Sequence, residues 1–490
     1  MRIQHGTVAT VVFLANVLAY GFRGLLPATP MTVQSFLHDA VASRSNTAGV
    51  PSWMLFGVLE STFVATYALS FLVCTHFSFG GPLRVLSGGL LVWCAGAMVS
   101  GYFVSHDHAY RFHLVLGGRL LSGIGDGILQ AMTPVIIERE ALQKHRQRWV
   151  RLYFAGAALG TGMGYVVGNI VTESFGWHWA FYGYSIAMAP LILLCLSCAS
   201  MRWARRLVKP PAAATAHGTL ATIEADKAVS LLRSPVYILT SLGAASTLFT
   251  LRALSTYMPV WLRVGGTLSG EQAAAIVYGG IATLASLVAA PLGGCILTWA
   301  SRRCLTDAAQ LRVACRQQFL HVCVGCGSFL AMWKLLDDST VWSFVTLVVG
   351  LVSASGAMNA TSVVVLLSVP LEGRSRAMQT FAVVVQVCGD IPAPVLVGWA
   401  MDEWTVPTCA TPANPGVCVD GVSTTVFWTV LWLWWAVGST FVTWVLATFA
   451  PRVSDDLYVQ EADVEIAMAG AGGSLHATAL GIAAAEPFQR

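Results

Sequence analysis

GRLLSGIGDGILQAMTP, residues 118–134, sets an arginine and an acid seven residues apart in a run otherwise built of apolar and small side chains. The apolar stretch extends over 112–137, long enough to cross a bilayer, so Arg119 and Asp126 both fall at membrane depth. A charge there costs ~2.5–3.5 kcal/mol on insertion scales unless it faces a partner or a polar cavity. Seven residues make about two helical turns, so both groups face the same way, about 10 Å apart along the axis. A membrane helix with one charged stripe is what a solute pathway requires. A buried pair that only ties helices together is the alternative.

The rest of the chain has the same character. Its 490 residues are 56% hydrophobic and 11% charged, too few charges to cover the surface of a water-soluble domain of this size. Twelve apolar segments of span length lie near 6–28, 53–76, 83–104, 112–137, 148–172, 178–201, 234–262, 273–299, 313–334, 341–369, 375–401 and 424–450. Met1–Gly21 imitates a signal peptide, but no small-residue cleavage site precedes a soluble domain, and the segment reads as the first span. With the N-terminus cytoplasmic, 21 of the 28 Lys and Arg fall in inside segments and 4 in outside loops, Arg44, Arg111, Arg263 and Lys334. That asymmetry predicts an integral multi-pass membrane protein with both termini in the cytoplasm. Since topology distributes the basic residues, the net charge of +4 does not point to nucleic acid.

The expected fold is all-α, with twelve transmembrane helices in two six-helix halves. Residues 1–203 form the first half, 204–232 a cytoplasmic linker around PPAAATAHG, 233–450 the second half, and 451–490 a disordered cytoplasmic tail. Glycines recur in ALGTGMGYVVGN (158–169), where small residues let helices approach closely.

Four stretches in order resemble the Spinster-like branch of the major facilitator superfamily. RQRWVRLYFAGAALGTGMGYVVGN (146–169) followed by GWHWAF (176–181) resembles its fifth span and the entry to its sixth. GRLLSGIGDG resembles its fourth-span motif, in which an Arg is followed seven residues later by Glu; here the acid is Asp126. SLGAASTLFTLRALSTYMPVWL (241–262) resembles the seventh span, and VPLEGRSRAMQTF with GDIPAPVLVGW (369–399) the tenth–eleventh hinge and eleventh span. The resemblance covers most of 53–402 and implies a secondary transporter with its substrate site between the halves, working as a monomer in an endolysosomal or plasma membrane. It implies an amphipathic substrate such as a lysophospholipid or a phosphorylated sphingoid base, with proton coupling. Two departures bear on that coupling. The family's first-span Asp is missing, since Thr7–Pro30 holds only Arg23, and CTHFSFGGPLRV (74–85) lacks the usual acid between spans two and three.

Four further charges lie at membrane depth: Arg23, Glu60, Arg252 and Asp390. Arg23 and Glu60 stand at similar depth in neighbouring spans and are expected to pair, Glu60 replacing the missing first-span acid. Snorkelling of each to the outer interface is the alternative. Arg252 and Asp390 are expected to pair across the seventh and eleventh spans, lining a cavity or fixing helix contacts. Arg119 suits a phosphate, its planar guanidinium being always charged, and Asp126 is the group expected to titrate. His178 in WHWA reads as an interfacial residue.

Most of the twelve cysteines are single residues inside spans, and CVGC at 323–326 lies in an apolar helix without metal-binding neighbours. Cys409 and Cys418, nine residues apart in an outer loop, are expected to form a disulfide. No nucleotide loop, nucleophile elbow or zinc spacing is present, so no cofactor and no enzymatic activity are expected. A carrier of small polar solutes such as sugars or organic anions is the second reading. A transport-dead receptor or scaffold is the third.

Overall fold

In lipid, every backbone polar group must be paired within the protein, and long apolar runs achieve this as helices. The structure, a computed structural model, describes residues 2–42, 52–76, 81–106, 110–141, 143–208, 234–264, 267–268, 270–304, 306–335, 339–369, 373–405 and 419–449. Eleven helices there are long and apolar enough to cross a membrane. The helix Asp307–Leu335 adds a twelfth rod of 29 residues, less hydrophobic because Arg312, Arg316, Gln317 and Gln318 lie in it. The linker beyond Val208, the tail 451–490 and the Cys409–Cys418 pair lie outside the described residues.

The first half comprises spans 1 (Arg2–Ala28), 2 (Ser52–His76), 3 (Pro82–Ser105), 4 (Arg111–Glu140), 5 (Gln143–Phe175) and 6 (Trp177–Val208). The second comprises spans 7 (Pro235–Val264), 8 (Glu271–Ser301), 9 (Asp307–Leu335) and 10 (Thr340–Leu367), then two broken spans. Span 11 runs from Arg374 to Val385, through a π-helical turn at Gln386–Asp390, and on as Pro392–Thr405. Pro392 and Pro394 have no N–H to continue the α pattern, and the Ile391 amide instead reaches back five residues to the Gln386 carbonyl at 2.9 Å. Span 12 is broken at Trp432, between Val419–Leu431 and Leu433–Phe449. A short helix outside the twelve apolar segments, Pro30–Ala42, follows span 1 and starts on a proline, which suits a first helical turn.

Small residues set the close crossings. Gly21 and Gly24 of span 1 meet Gly164 of span 5 backbone to backbone, which brings the neighbouring Arg23 into the bundle. Gly125 of span 4 packs on Gly89 and Trp93 of span 3, fixing how Asp126 faces inward. Two crossings join the halves. Gly162 of span 5 faces Thr283 of span 8, and spans 2 and 11 interlock through Gly57 against the Pro394 carbonyl and Gly398 against that of Trp53. A Cβ at either of these last two glycines would collide with backbone rather than with a movable side chain.

Gly57→Val and Gly398→Val are therefore expected to force the ends of spans 2 and 11 apart, at about 1–3 kcal/mol for overpacking. Both variants should melt at lower temperature in detergent, while Gly88→Val, at an open position, should not.

Candidate functional site

Six ionisable side chains from five spans meet between the halves. Arg23 Nε on span 1 donates to Asp126 Oδ2 on span 4 at 2.7 Å. Arg119 Nη2, two turns before Asp126, donates to Glu60 Oε1 on span 2 at 3.0 Å. The other oxygen of Glu60 accepts from Arg252 Nη2 on span 7 at 2.7 Å, so one carboxylate joins the halves. Arg252 Nε in turn lies 3.4 Å from Asp390 Oδ1, in the π-helical turn of span 11. Arg119, Glu60 and Asp126 are completely buried, while Arg23, Arg252 and Asp390 are 14–17% exposed. Three cations face three acids, so the cluster is close to neutral when all are ionised.

Aromatic rings frame the charges. The Arg119 guanidinium lies 4.5 Å from the Phe63 ring centre, and that of Arg23 lies 4.4 Å from Tyr67 and 4.6 Å from Tyr20. Such contacts stabilise desolvated cations without using hydrogen-bond donors. Arg23 Nη2, Arg119 Nη1 and Arg252 Nε remain buried without a hydrogen-bond partner. Unpaired buried donors on cations are costly, and donors in this state favour an incoming acceptor.

Below Asp126, toward the N-terminal end of span 1, a network of neutral polar groups joins spans 1, 4 and 5. Gln130 Nε2 donates to Asp126 Oδ1 at 3.3 Å and to Asn16 Oδ1 at 3.0 Å. Its Oε1 accepts from the Tyr153 hydroxyl, and Asn16 Nδ2 donates to the Tyr153 carbonyl at 2.8 Å.

On the opposite side two acids of the second half close the bundle. Asp402, near the end of span 11, accepts from the Trp53 and Met54 amides in the first turn of span 2 at 3.1 and 2.7 Å. Glu271, opening span 8, accepts from the Met31 amide at 2.8 Å and lies 3.7 Å from Arg263. Each carboxylate thus occupies a helix start, where unpaired amides and the helix dipole favour negative charge. The Tyr257 hydroxyl adds bonds to the Pro394 and Trp53 carbonyls at 2.6 and 3.2 Å, and Ser61 Oγ donates to the Ile391 carbonyl at 2.6 Å. These contacts lie at the depth of Glu60 or nearer the Pro30–Ala42 end, so the halves are closed on that side.

The structure brings all six predicted charges into one cluster but changes one pairing. Arg23 does not meet Glu60; it binds Asp126, and Glu60 is held by Arg119 and Arg252. The reason is azimuth: Arg23 is turned toward span 4, with Phe63 lying between it and the Arg119–Glu60 pair. Arg252 and Asp390 are in contact as expected. Arg119 and Asp126 share a stripe yet engage different partners. His178 lies beside Trp179 and Tyr182, and Cys323 and Cys326 are free thiols. Asn16, Gln130, Tyr153, Asp402 and Glu271 were not singled out in the sequence. The spacing of Asn16, Tyr20 and Arg23 along one helical face, matched by Asp126 and Gln130 one turn apart, was the available signal.

The profile of the Major Facilitator Superfamily matches residues 11–391. The chain is 22% identical over 429 residues to the Arabidopsis thaliana protein named "Probable sphingolipid transporter spinster homolog 1", covering 81% of this chain and 83% of that one. It is 24% identical over 429 residues to "Protein spinster homolog 1" of Mus musculus, covering 81% and 74%. A bacterial homologue of the human lysosomal transporter Spinster, solved inward-facing and unoccupied, superposes with a TM-score of 0.67 at 17% identity, over 91% of this chain and 98% of that one. A D-xylose–proton symporter superposes with a TM-score of 0.61 at 14% identity, over 87% and 97%.

Two outcomes follow from this geometry. Glu60→Gln leaves the buried Arg119 without a carboxylate and Arg252 with Asp390 alone, and should destabilise the protein by about 3–5 kcal/mol, the usual effect of breaking a buried pair. Adding Arg252→Gln should lose less than the sum of the two single variants in a double-mutant cycle of thermal melts. Asp402→Asn keeps the size but removes the charge at the start of span 2. Spin-label distances between the ends of spans 2 and 11 on that side should then show a longer, more open population than in the wild type.

Proposed function

The chain belongs to the Major Facilitator Superfamily, in its Spinster-like branch, and from that premise we propose that it carries a lipid-like amphipathic anion by proton-coupled alternating access. It is a multi-pass membrane transporter, and its family relatives are transporters rather than enzymes. The substrate class of this reading is a lysophospholipid or a phosphorylated sphingoid base. The carrying observation is Glu60, a carboxylate held by one guanidinium from each half. A permanent bond of this kind would lock the halves together. A substrate anion able to take Glu60's place on Arg119 and Arg252 makes the connection exchangeable.

The local chemistry fits that exchange. Arg119 keeps a buried donor, Nη1, free for a phosphate oxygen, Arg252 Nη2 becomes available once Glu60 is displaced, and guanidinium geometry matches phosphate well. Phe22, Phe63, Tyr165 and Tyr278 give the surroundings an apolar character suited to the start of an acyl chain. With no acid in Thr7–Pro30, Asp126 is the acid facing the first span and takes the coupled proton, releasing Arg23. The likeness to the Arabidopsis thaliana protein named a probable sphingolipid transporter supports a sphingolipid-type cargo. Both termini are read as cytoplasmic, on the distribution of Lys and Arg. The same reading gives an endolysosomal or plasma-membrane location and a monomeric working unit.

Uptake of labelled lysophospholipid into proteoliposomes, with and without a proton gradient, tests the reading. Wild-type flux should rise with the gradient, and Asp126→Asn flux should become indifferent to it. Arg252→Gln should lower flux about tenfold or more, the effect of losing one charged hydrogen bond. Competition by sugars or small organic anions instead of lipids would favour a carrier of polar solutes. Saturable binding without flux, unaffected by Arg119 or Asp126 substitution, would favour a receptor.

A further inference from the structure

We infer that Gln130 is the positioning residue that holds Asp126 in its Arg23-bound orientation, and that Tyr153, which does not touch Asp126, sets that orientation through the Gln130 amide. This rests on the reading of Asp126 as the group that takes up the coupled proton.

The direction of the Gln130 amide follows from its neighbours. Its Nε2 faces two acceptors, Asp126 Oδ1 and Asn16 Oδ1, and its Oε1 faces the Tyr153 hydroxyl. The reversed amide would set an oxygen against two oxygens, so only one orientation satisfies the site. Asn16 is fixed in turn, because its Nδ2 donates to the Tyr153 carbonyl while its Oδ1 accepts from Gln130.

In this arrangement both oxygens of Asp126 face donors. Oδ2 meets Arg23 Nε, which can never accept, and Oδ1 meets the Gln130 amide N–H. A proton from water that takes the lone pair facing either donor sets donor against donor. On the Oδ1 side, a proton aimed at Gln130 is accommodated when the Gln130 amide turns over and presents its oxygen. That turn leaves Gln130 Oε1 opposite Asn16 Oδ1, and relief requires Asn16 to turn as well. Asn16 then releases the Tyr153 carbonyl, and with it one tie between spans 1 and 5. Protonation at the cluster is in this way transmitted along spans 1, 4 and 5 toward the end of the bundle where the halves are not held by Asp402 and Glu271.

The charged and titratable groups around Asp126 come from several elements. Arg23 and Tyr20 face it from span 1, Tyr67 from span 2 and Tyr153 from span 5. Arg119 stands two turns away on its own span, and Asp390 approaches Tyr20 from span 11.

The test is infrared difference spectroscopy of the full chain in lipid vesicles as pH is stepped, with the band absent from Asp126→Asn assigned to the Asp126 carboxyl. Gln130→Leu should move the midpoint of that band, and the pH profile of flux, upward by about one pH unit, the size of one charged hydrogen bond. Tyr153→Phe should move it in the same direction by less, with the melting temperature close to wild type. That shift is one a packing role would not produce, and it decides the matter alone if Gln130→Leu fails to fold. A titrating Asp126 band with an unmoved midpoint in Tyr153→Phe overturns the assignment of Gln130 and leaves proton coupling standing. No titrating Asp126 band in any protein overturns both.

Discussion

One carboxylate shared by two arginines governs this structure. Glu60 is the negative charge that binds Arg119 within its own half and Arg252 across the interface. Arginine cannot shed its charge by deprotonation, so burying Arg119 without Glu60 would leave an uncompensated cation, and Arg252 would be left with Asp390 alone. The positions of spans 2, 4 and 7 are therefore tied to one group, and anything that competes for Glu60 acts on the relation between the halves. Asp402 and Glu271 make a different kind of connection. Across the interface they bind backbone amides at helix starts, so these contacts depend on where whole helices stand.

How much of this was legible in the sequence depends on which coordinate is asked for. Depth within the membrane was legible: hydropathy located the spans, and the six charges at membrane depth meet in one cluster. Azimuth was not. Arg23 and Glu60 are neighbours in depth but turn toward different partners, because the Gly21, Gly24 and Gly164 crossing directs Arg23 toward span 4. Span 9 was found, but shorter than the helix it forms, since polar Arg312, Arg316 and Gln317 weaken the apolar signal at its start. Neutral polar residues were the hardest to read. Asn16 and Gln130 look like ordinary single amides in apolar helices, and only the fold shows that each is completed by the other.

The same distinction separates family from mechanism. Likeness over four-fifths of the chain identifies the branch of the superfamily, yet the chain lacks the branch's first-span acid. The first span carries Arg23 instead, balanced by Asp126 of span 4.

The π-helical turn at Gln386–Asp390 has a consequence for insertions and deletions. One extra residue per turn means that the two parts of span 11 are phased independently, the lower against span 7 and the upper against span 2. Removing a single residue there would restore a continuous α-helix and rotate one part against the other by about 100°. Substitutions along span 11 can be absorbed by repacking, but its length in this turn cannot change without moving either Asp390 from Arg252 or Gly398 from Trp53. The reading frame of the helix, more than the identity of most of its side chains, is what the two halves hold in common.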